Sequence, residues 1–137
     1  MPAITRSNGA TEKNLLDSDL TNLILGRAIE VHNHLGPGLL ESVYETCLVH
    51  ELTTAGLSVE RQRLLPVRYK SLSLQDGLRI DLLVEGRVIV ELKCVEKLMP
   101  VHDAQLYTYL KLSGVKTGLL INFFTRVLRD GIKRIVC

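Results

Sequence analysis

The segment RIDLLVEGRVIVELKCVEK, residues 79–97, constrains the fold more than any other part of the chain. Its Val, Leu and Ile residues mark a buried β-hairpin, yet Asp81, Glu91 and Lys93 interrupt the apolar run. Burying a charge is costly unless it is paired or holds a metal ion. Two registers are open. A two-residue turn at Glu85-Gly86 pairs Asp81 with Val90 and turns Glu91 away from Asp81. A three-residue connection over 85–87 pairs Val84 with Val88 and Asp81 with Glu91. One face then carries Ile80, Leu82, Val84, Val88, Val90, Leu92 and Cys94, and the other Arg79, Asp81, Leu83, Ile89, Glu91 and Lys93. A one-residue slip moves every side chain to the opposite face, so the burial pattern selects the second register. That register brings the two carboxylates to ~5 Å at Cβ. At that distance they repel, and one proton affinity rises unless a cation lies between them. Lys93 supplies part of that charge, and a divalent metal would supply the rest. The plainer reading is a solvated face with an ordinary Glu–Lys pair. Leu83 and Ile89 weaken it, because they interleave with the charges and call for a covering helix.

Elsewhere the apolar period decides the elements. Leu20, Leu23, Ile24, Ala28, Val31 and Leu35 recur at helical spacing after the capping run Asp17-Ser18-Asp19, which predicts a helix over 19–35 ended by Gly36-Pro37-Gly38. A second helix is expected from about Leu39 to Ala55, with Leu40, Val43, Cys47, Leu48 and Leu52 inward. The period then shortens. LSVERQR, LLPVRYK and SLSL read as extended, with Pro66 at an edge or bend and Gln75-Asp76-Gly77 as a turn. After the hairpin, Met99-Pro100 precedes a helix over about 102–113, and KTGLLIN and IKRIVC read as strands on either side of a turn at Arg129-Asp130-Gly131. The order helix, helix, three or four strands, helix, strand, strand predicts an α/β fold, a mixed sheet flanked by helices.

The chain has 137 residues, enough for one domain, expected over 17–137 behind a disordered leader at 1–16. No run approaches the ~20 apolar residues that span a bilayer. Cys47, Cys94 and Cys137 form no CxxC pair and no disulfide framework, which points to a reducing cytoplasm and structural thiols. A formal charge of +2 permits a nucleic-acid partner without demanding one.

Asp81 followed by Glu91-Leu92-Lys93 resembles the Asp…Glu-x-Lys signature of the PD-(D/E)XK nucleases, with Ile80 where the name has Pro. Gln105 and Tyr109, at i and i+4 on one helical face, resemble the QxxxY motif of the RecB-like branch. Gly38-Leu39-Leu40-Glu41-Ser42-Val43-Tyr44 matches the signature of the GxxExxY family of small bacterial proteins, and the likeness runs over about 20–136. The resemblance implies a restriction-endonuclease-like core with an extra N-terminal helix. It implies Mg²⁺ or Mn²⁺ held by Asp81, Glu91, the Leu92 carbonyl and Glu41, with Lys93 orienting the attacking water and Gln105 and Tyr109 placing the phosphate or Lys93. The substrate it implies is nucleic acid, DNA above all, and a bare core of this size calls for a homodimer or a partner subunit.

Each of these residues also has a plainer role. Glu41 at a helix start complements the helix dipole. Glu30 with His34 is an ordinary helix pair, and His102 suits a cap. Arg61, Arg63, Arg68, Lys70 and Arg79, and the group Arg126, Arg129, Lys133 and Arg134, are candidates for phosphate contact or ordinary exposed strand charges. A protein that keeps the fold without the chemistry, binding nucleic acid or another protein, accounts for the same residues.

Overall fold

In the computed structural model the residues described are 9–137, with side chains from Asp17 onward. Helix α1 (Gly9–Leu35) and helix α2 (Glu41–Thr54) come first. Strands β1 (Val59–Tyr69), β2 (Leu72–Val84) and β3 (Val88–Lys93) form an antiparallel meander. Helix α3 (Pro100–Ser113) crosses over to β4 (Thr117–Asn122), which runs parallel to β3. A 3₁₀ turn at Leu128–Gly131 leads into β5 (Ile132–Val136), antiparallel to β4, and the sheet order is β1-β2-β3-β4-β5.

Helices cover both faces of the sheet. Leu20, Ile24, Ala28 and Val31 of α1 and Tyr44, Leu48 and Leu52 of α2 pack on Leu82, Val84, Val88, Val90 and Leu92. On the opposite face Leu106 and Leu110 of α3 cover Leu78, Ile80, Leu83, Ile89 and Leu120. The two central strands, β3 and β4, are therefore buried on both faces, which is why VIVELK and TGLLIN read as nearly unbroken apolar runs. Each fully buried Leu or Ile contributes roughly 1.5–3 kcal/mol of transfer free energy.

Several expectations need correction. Asp17-Ser18-Asp19 does not cap a helix, because α1 is already helical from Gly9. Asp17 is instead buried, accepting a bond from Thr117 Oγ1 at 2.5 Å and facing Arg87 at 3.7 Å, so it fastens α1 to β4 and to the β2–β3 connection. Of the leader expected at 1–16, residues 1–8 lie outside the described residues and 9–16 are described as helical backbone alone. Leu23, Leu35, Leu40 and Val43 are exposed rather than inward. Leu48 and Leu52 are buried as expected and Cys47 packs partly buried beside them, but at the start of α2 the inward residue is Tyr44 rather than Val43, and Leu40 is the extended residue ahead of the helix.

Gln75-Asp76-Gly77 does not reverse the chain. The pairs Leu65↔Leu78 and Val67↔Leu74 leave these three residues of β2 opposite Pro66 alone, so they form a bulge. Pro66 has no N–H to give to the ladder, and the bulge forms where it lies. The position tolerates glycine alone, since a Cβ on Gly77 would lie 2.7 Å from Val67 Cβ. The chain reverses instead at Lys70-Ser71, between the paired Tyr69 and Leu72, with Lys70 at φ +54°.

Candidate active site

The β2–β3 pairs are Val84↔Val88, Leu83↔Ile89 and Leu82↔Val90, the register with a three-residue connection. Glu85 and Gly86 both carry positive φ, and the Arg87 amide donates to the Val84 carbonyl at 2.9 Å. The backbone ladder stops one step before Asp81 and Glu91, and their side chains take over its hydrogen bonds. The Asp81 amide donates to Glu91 Oε2 at 2.8 Å, and the Leu92 amide donates to Asp81 Oδ2 at 2.8 Å. Each carboxylate thus stands in for a ladder carbonyl on the neighbouring strand.

Beyond this point the alternation of β2 changes. Leu82 and Val84 belong to the core under α1 and α2, as expected, but Ile80 packs with Leu83 and Ile89 under α3. Ile80 was expected on the same face as Leu82. The shift occurs at Asp81, opposite Gln62, which has the unusual φ of +49° for a residue with a side chain.

Glu91 is 5% exposed, and its carboxyl is pushed up to about 8. Burial is the main cause, followed by the charge of Asp81; the Asp81 amide and Lys93 pull it back. Asp81 is raised by burial and by Glu45, against the opposing effects of the Leu92 amide, Gln62 and Lys93. Glu41, at the first position of α2, is raised by desolvation and then by Asp81, with Lys93 lowering it. Its proximity to Asp81 and Lys93 brings the α2 carboxylate to the strand pair. The Tyr109 hydroxyl is raised by burial and by Glu91. Lys93 Nζ donates to Gln105 Oε1 at 3.3 Å, and Gln105 Nε2 donates to Tyr109 Oη at 2.9 Å, so β3 and α3 meet through a chain of three side chains.

The remaining motif residues are structural. Tyr44 is fully buried, donates to the Gly36 carbonyl at 2.5 Å, accepts from the Leu39 amide at 3.1 Å and stacks on Phe123 at 4.5 Å. It thereby fixes the loop that delivers Glu41. His102 accepts from the Met99 amide at 2.8 Å and caps α3. His34 and Glu30 form an exposed pair at 3.9 Å, and buried His32 bonds the Thr125 carbonyl at 2.7 Å. Arg61 and Arg63 are engaged with Glu45 and Glu60.

Two further groups join the cluster, Glu45, which the sequence places near Glu41 without a role at the site, and Gln62, which it does not mark. Glu45, buried one turn after Glu41, accepts from Arg61 Nε at 3.2 Å and from Gln62 Nε2 at 2.8 Å. The i+4 spacing from Glu41 was its only signal. Gln62 lies in VERQRLLP with nothing in the local pattern to distinguish it from its neighbours. At the far end of β3, Asn122 holds both the amide and the carbonyl of Val95, at 3.1 and 2.8 Å, and fixes the chain just past Lys93.

The donor chemistry fits a hard divalent cation. Asp81, Glu91, Glu41 and Glu45 offer oxygen atoms alone, and burial, followed by the Asp81 charge, holds the Glu91 carboxyl at about 8 against the pull of Lys93. Among the described residues, however, no three His, Cys, Asp or Glu side chains converge as a metal-holding group. Asp81 and Glu91 each commit one oxygen, Oδ2 and Oε2, to a backbone amide, and ligation would fall to Oδ1 and Oε1. No described helix is long and apolar enough to cross a membrane.

The family model described as "PD-(D/E)XK nuclease superfamily" matches residues 18–135. No curated protein and no solved structure matches the chain.

Proposed function

The chain belongs to the PD-(D/E)XK nuclease superfamily, and from that premise we propose that it is a metal-dependent nuclease that hydrolyses phosphodiester bonds of DNA, acting in repair or defence in the cytoplasm. Within the superfamily we assign it to the GxxExxY family of the RecB-like branch, on the residues Gly38, Glu41 and Tyr44 and on Gln105 with Tyr109. The observation that carries the reading is buried Glu91 beside half-buried Asp81, Glu91 accepting from the Asp81 amide and Asp81 from the Leu92 amide, with Lys93 alongside.

Mg²⁺ or Mn²⁺ would be held by Asp81, Glu91, Glu41 and the Leu92 carbonyl. When bound, the ion supplies Lewis-acid polarisation of the phosphate and a water of lowered pKa. The protein's own part lies around it. Lys93 places an ammonium where charge builds on the phosphate, in a partly enclosed site where such a charge acts more strongly than in water. Gln105 accepts from Lys93 and donates to Tyr109, so the ammonium is aimed rather than left on a free four-carbon stem. Glu91, with its raised proton affinity, would have to release its proton to hold a cation, so binding should weaken as pH falls. The small basic groups on β1, β2 and β5 are too sparse for a tight hold on a duplex, so we propose that a second copy or a partner subunit completes the grip.

A second reading, a silent nuclease fold that binds nucleic acid or a protein, is favoured by one observation: no three ligands converge among the described residues. Calorimetry with Mn²⁺ separates the two. The nuclease reading requires binding that Asp81→Asn weakens by at least tenfold; no binding, or equal binding by the variant, favours the silent module.

A further inference from the structure

Gln62 occupies the left-handed region at φ +49°, where Gly and Asn are at home and a long side chain is strained. Such an outlier persists only where its surroundings hold it, and it is a reason to look for a role. It sits in β1 between Arg61, paired with Leu82, and Arg63, paired with Ile80, and therefore opposite Asp81. Its amide Nε2 donates to Glu45 Oε1 at 2.8 Å and lies 3.5 Å from Asp81 Oδ1. The other oxygen of Glu45 accepts from Arg61 Nε at 3.2 Å, so Glu45 is a fixed anchor. The other oxygen of Asp81 accepts from the Leu92 amide. We propose that Gln62 is a positioning residue, tying buried Glu45 of α2 to Asp81 of β2 and so setting the direction of the Asp81 carboxylate.

The chemistry favours an amide at this place. Glu45 and Asp81 are both carboxylates, and a side chain between them must donate to each. The amide nitrogen has two hydrogens and no charge, so it can satisfy both without cancelling the negative potential that a cation would meet. An Arg or Lys there would neutralise the site. The positive φ swings the side chain out of the ordinary alternation of β1 and into the gap between α2 and β2. The same irregularity faces the point where β2 changes the face presented by Ile80.

The assignment rests on the nuclease reading for its purpose, and its test has one arm that needs no metal. Gln62→Gly accepts the backbone conformation without strain and removes only the amide. In protein carrying ¹³C-labelled Asp, the Asp81 carboxyl signal is expected to move in Gln62→Gly and in Glu45→Ala, with the Asp103 signal on α3 unmoved. Gln62→Gly is expected to melt at or above the wild-type temperature, yet to bind Mn²⁺ on the order of 10–100-fold more weakly, the usual loss when a partner of a metal ligand is removed. An unmoved Asp81 signal overturns the proposal, whatever happens to the metal. So does wild-type Mn²⁺ affinity in Gln62→Gly, because Gln62 would then serve the backbone alone. If the Asp81 signal moves while the wild-type protein binds no Mn²⁺, the positioning role stands and the nuclease reading fails.

Discussion

Glu91→Gln is expected to make the metal-free protein more stable at alkaline pH. Glu91 is 5% exposed, and its carboxyl is raised from the ordinary 4.5 to about 8, first by burial and then by Asp81. Between those two values the folded protein keeps a proton that the unfolded chain releases. The folded state therefore binds more protons, and stability falls as pH rises, from about 4.5 until the carboxyl ionises near 8. Each pKa unit is worth about 1.36 kcal/mol, so the full effect is on the order of a few kcal/mol. Gln keeps the shape and can still accept from the Asp81 amide, but carries no charge to strand. In a domain of this size ~1 kcal/mol corresponds to roughly 3–5 °C of melting temperature. The variant should thus melt about 10 °C above wild type at pH 8.5 in EDTA, with the gap closing toward pH 5. Calorimetric melting curves across pH 5–9 check this. A wild-type profile flat over that range, or a variant less stable at pH 8.5, would refute the reasoning that Glu91 is held against its charge.

Other perturbations follow from the same geometry. Lys93→Ala should leave Mn²⁺ binding in place, because a repelling cation is lost, while reducing DNA cleavage by at least a hundredfold; calorimetry and a cleavage assay on the same preparation separate the two effects. Tyr109→Phe removes the acceptor of the Gln105 amide and should lower the cleavage rate severalfold with little change in melting temperature. Gly77→Ala drives a Cβ to 2.7 Å from Val67 Cβ and should cost roughly 1–3 kcal/mol, read by urea titration.

The order of elements, the hairpin register and the opposition of Asp81 to Glu91 are legible in the sequence, because each follows from which residues must be buried. Leu83 and Ile89 among the charges announce a covering helix, and α3 provides it. What the sequence conceals depends on contacts between distant segments. Asp17 reads as a cap until its bond to Thr117, a hundred residues away, is seen. Gln75-Asp76-Gly77 has the composition of a turn, and only the pairing with the distant Leu65 and Val67 on either side of Pro66 makes it a bulge. Ile80 leaves the face of Leu82 because β2 departs from regular alternation where Gln62 opposes it, and nothing in VERQRLLP marks a residue that will adopt a positive φ. Glu41 and Tyr44 stand in one motif yet divide the work: Tyr44 holds the loop, and Glu41 is carried by it to the strand pair.

Incubation of the purified protein with single- and double-stranded DNA in Mg²⁺ or Mn²⁺, beside Asp81→Ala, decides whether this nuclease fold cuts. An active Asp81–Glu91–Lys93 site cleaves to products with 5′-phosphate ends, and EDTA or Asp81→Ala abolishes the cleavage. The same trace of cleavage in wild type and variant, across both substrates and both ions, would contradict the nuclease reading.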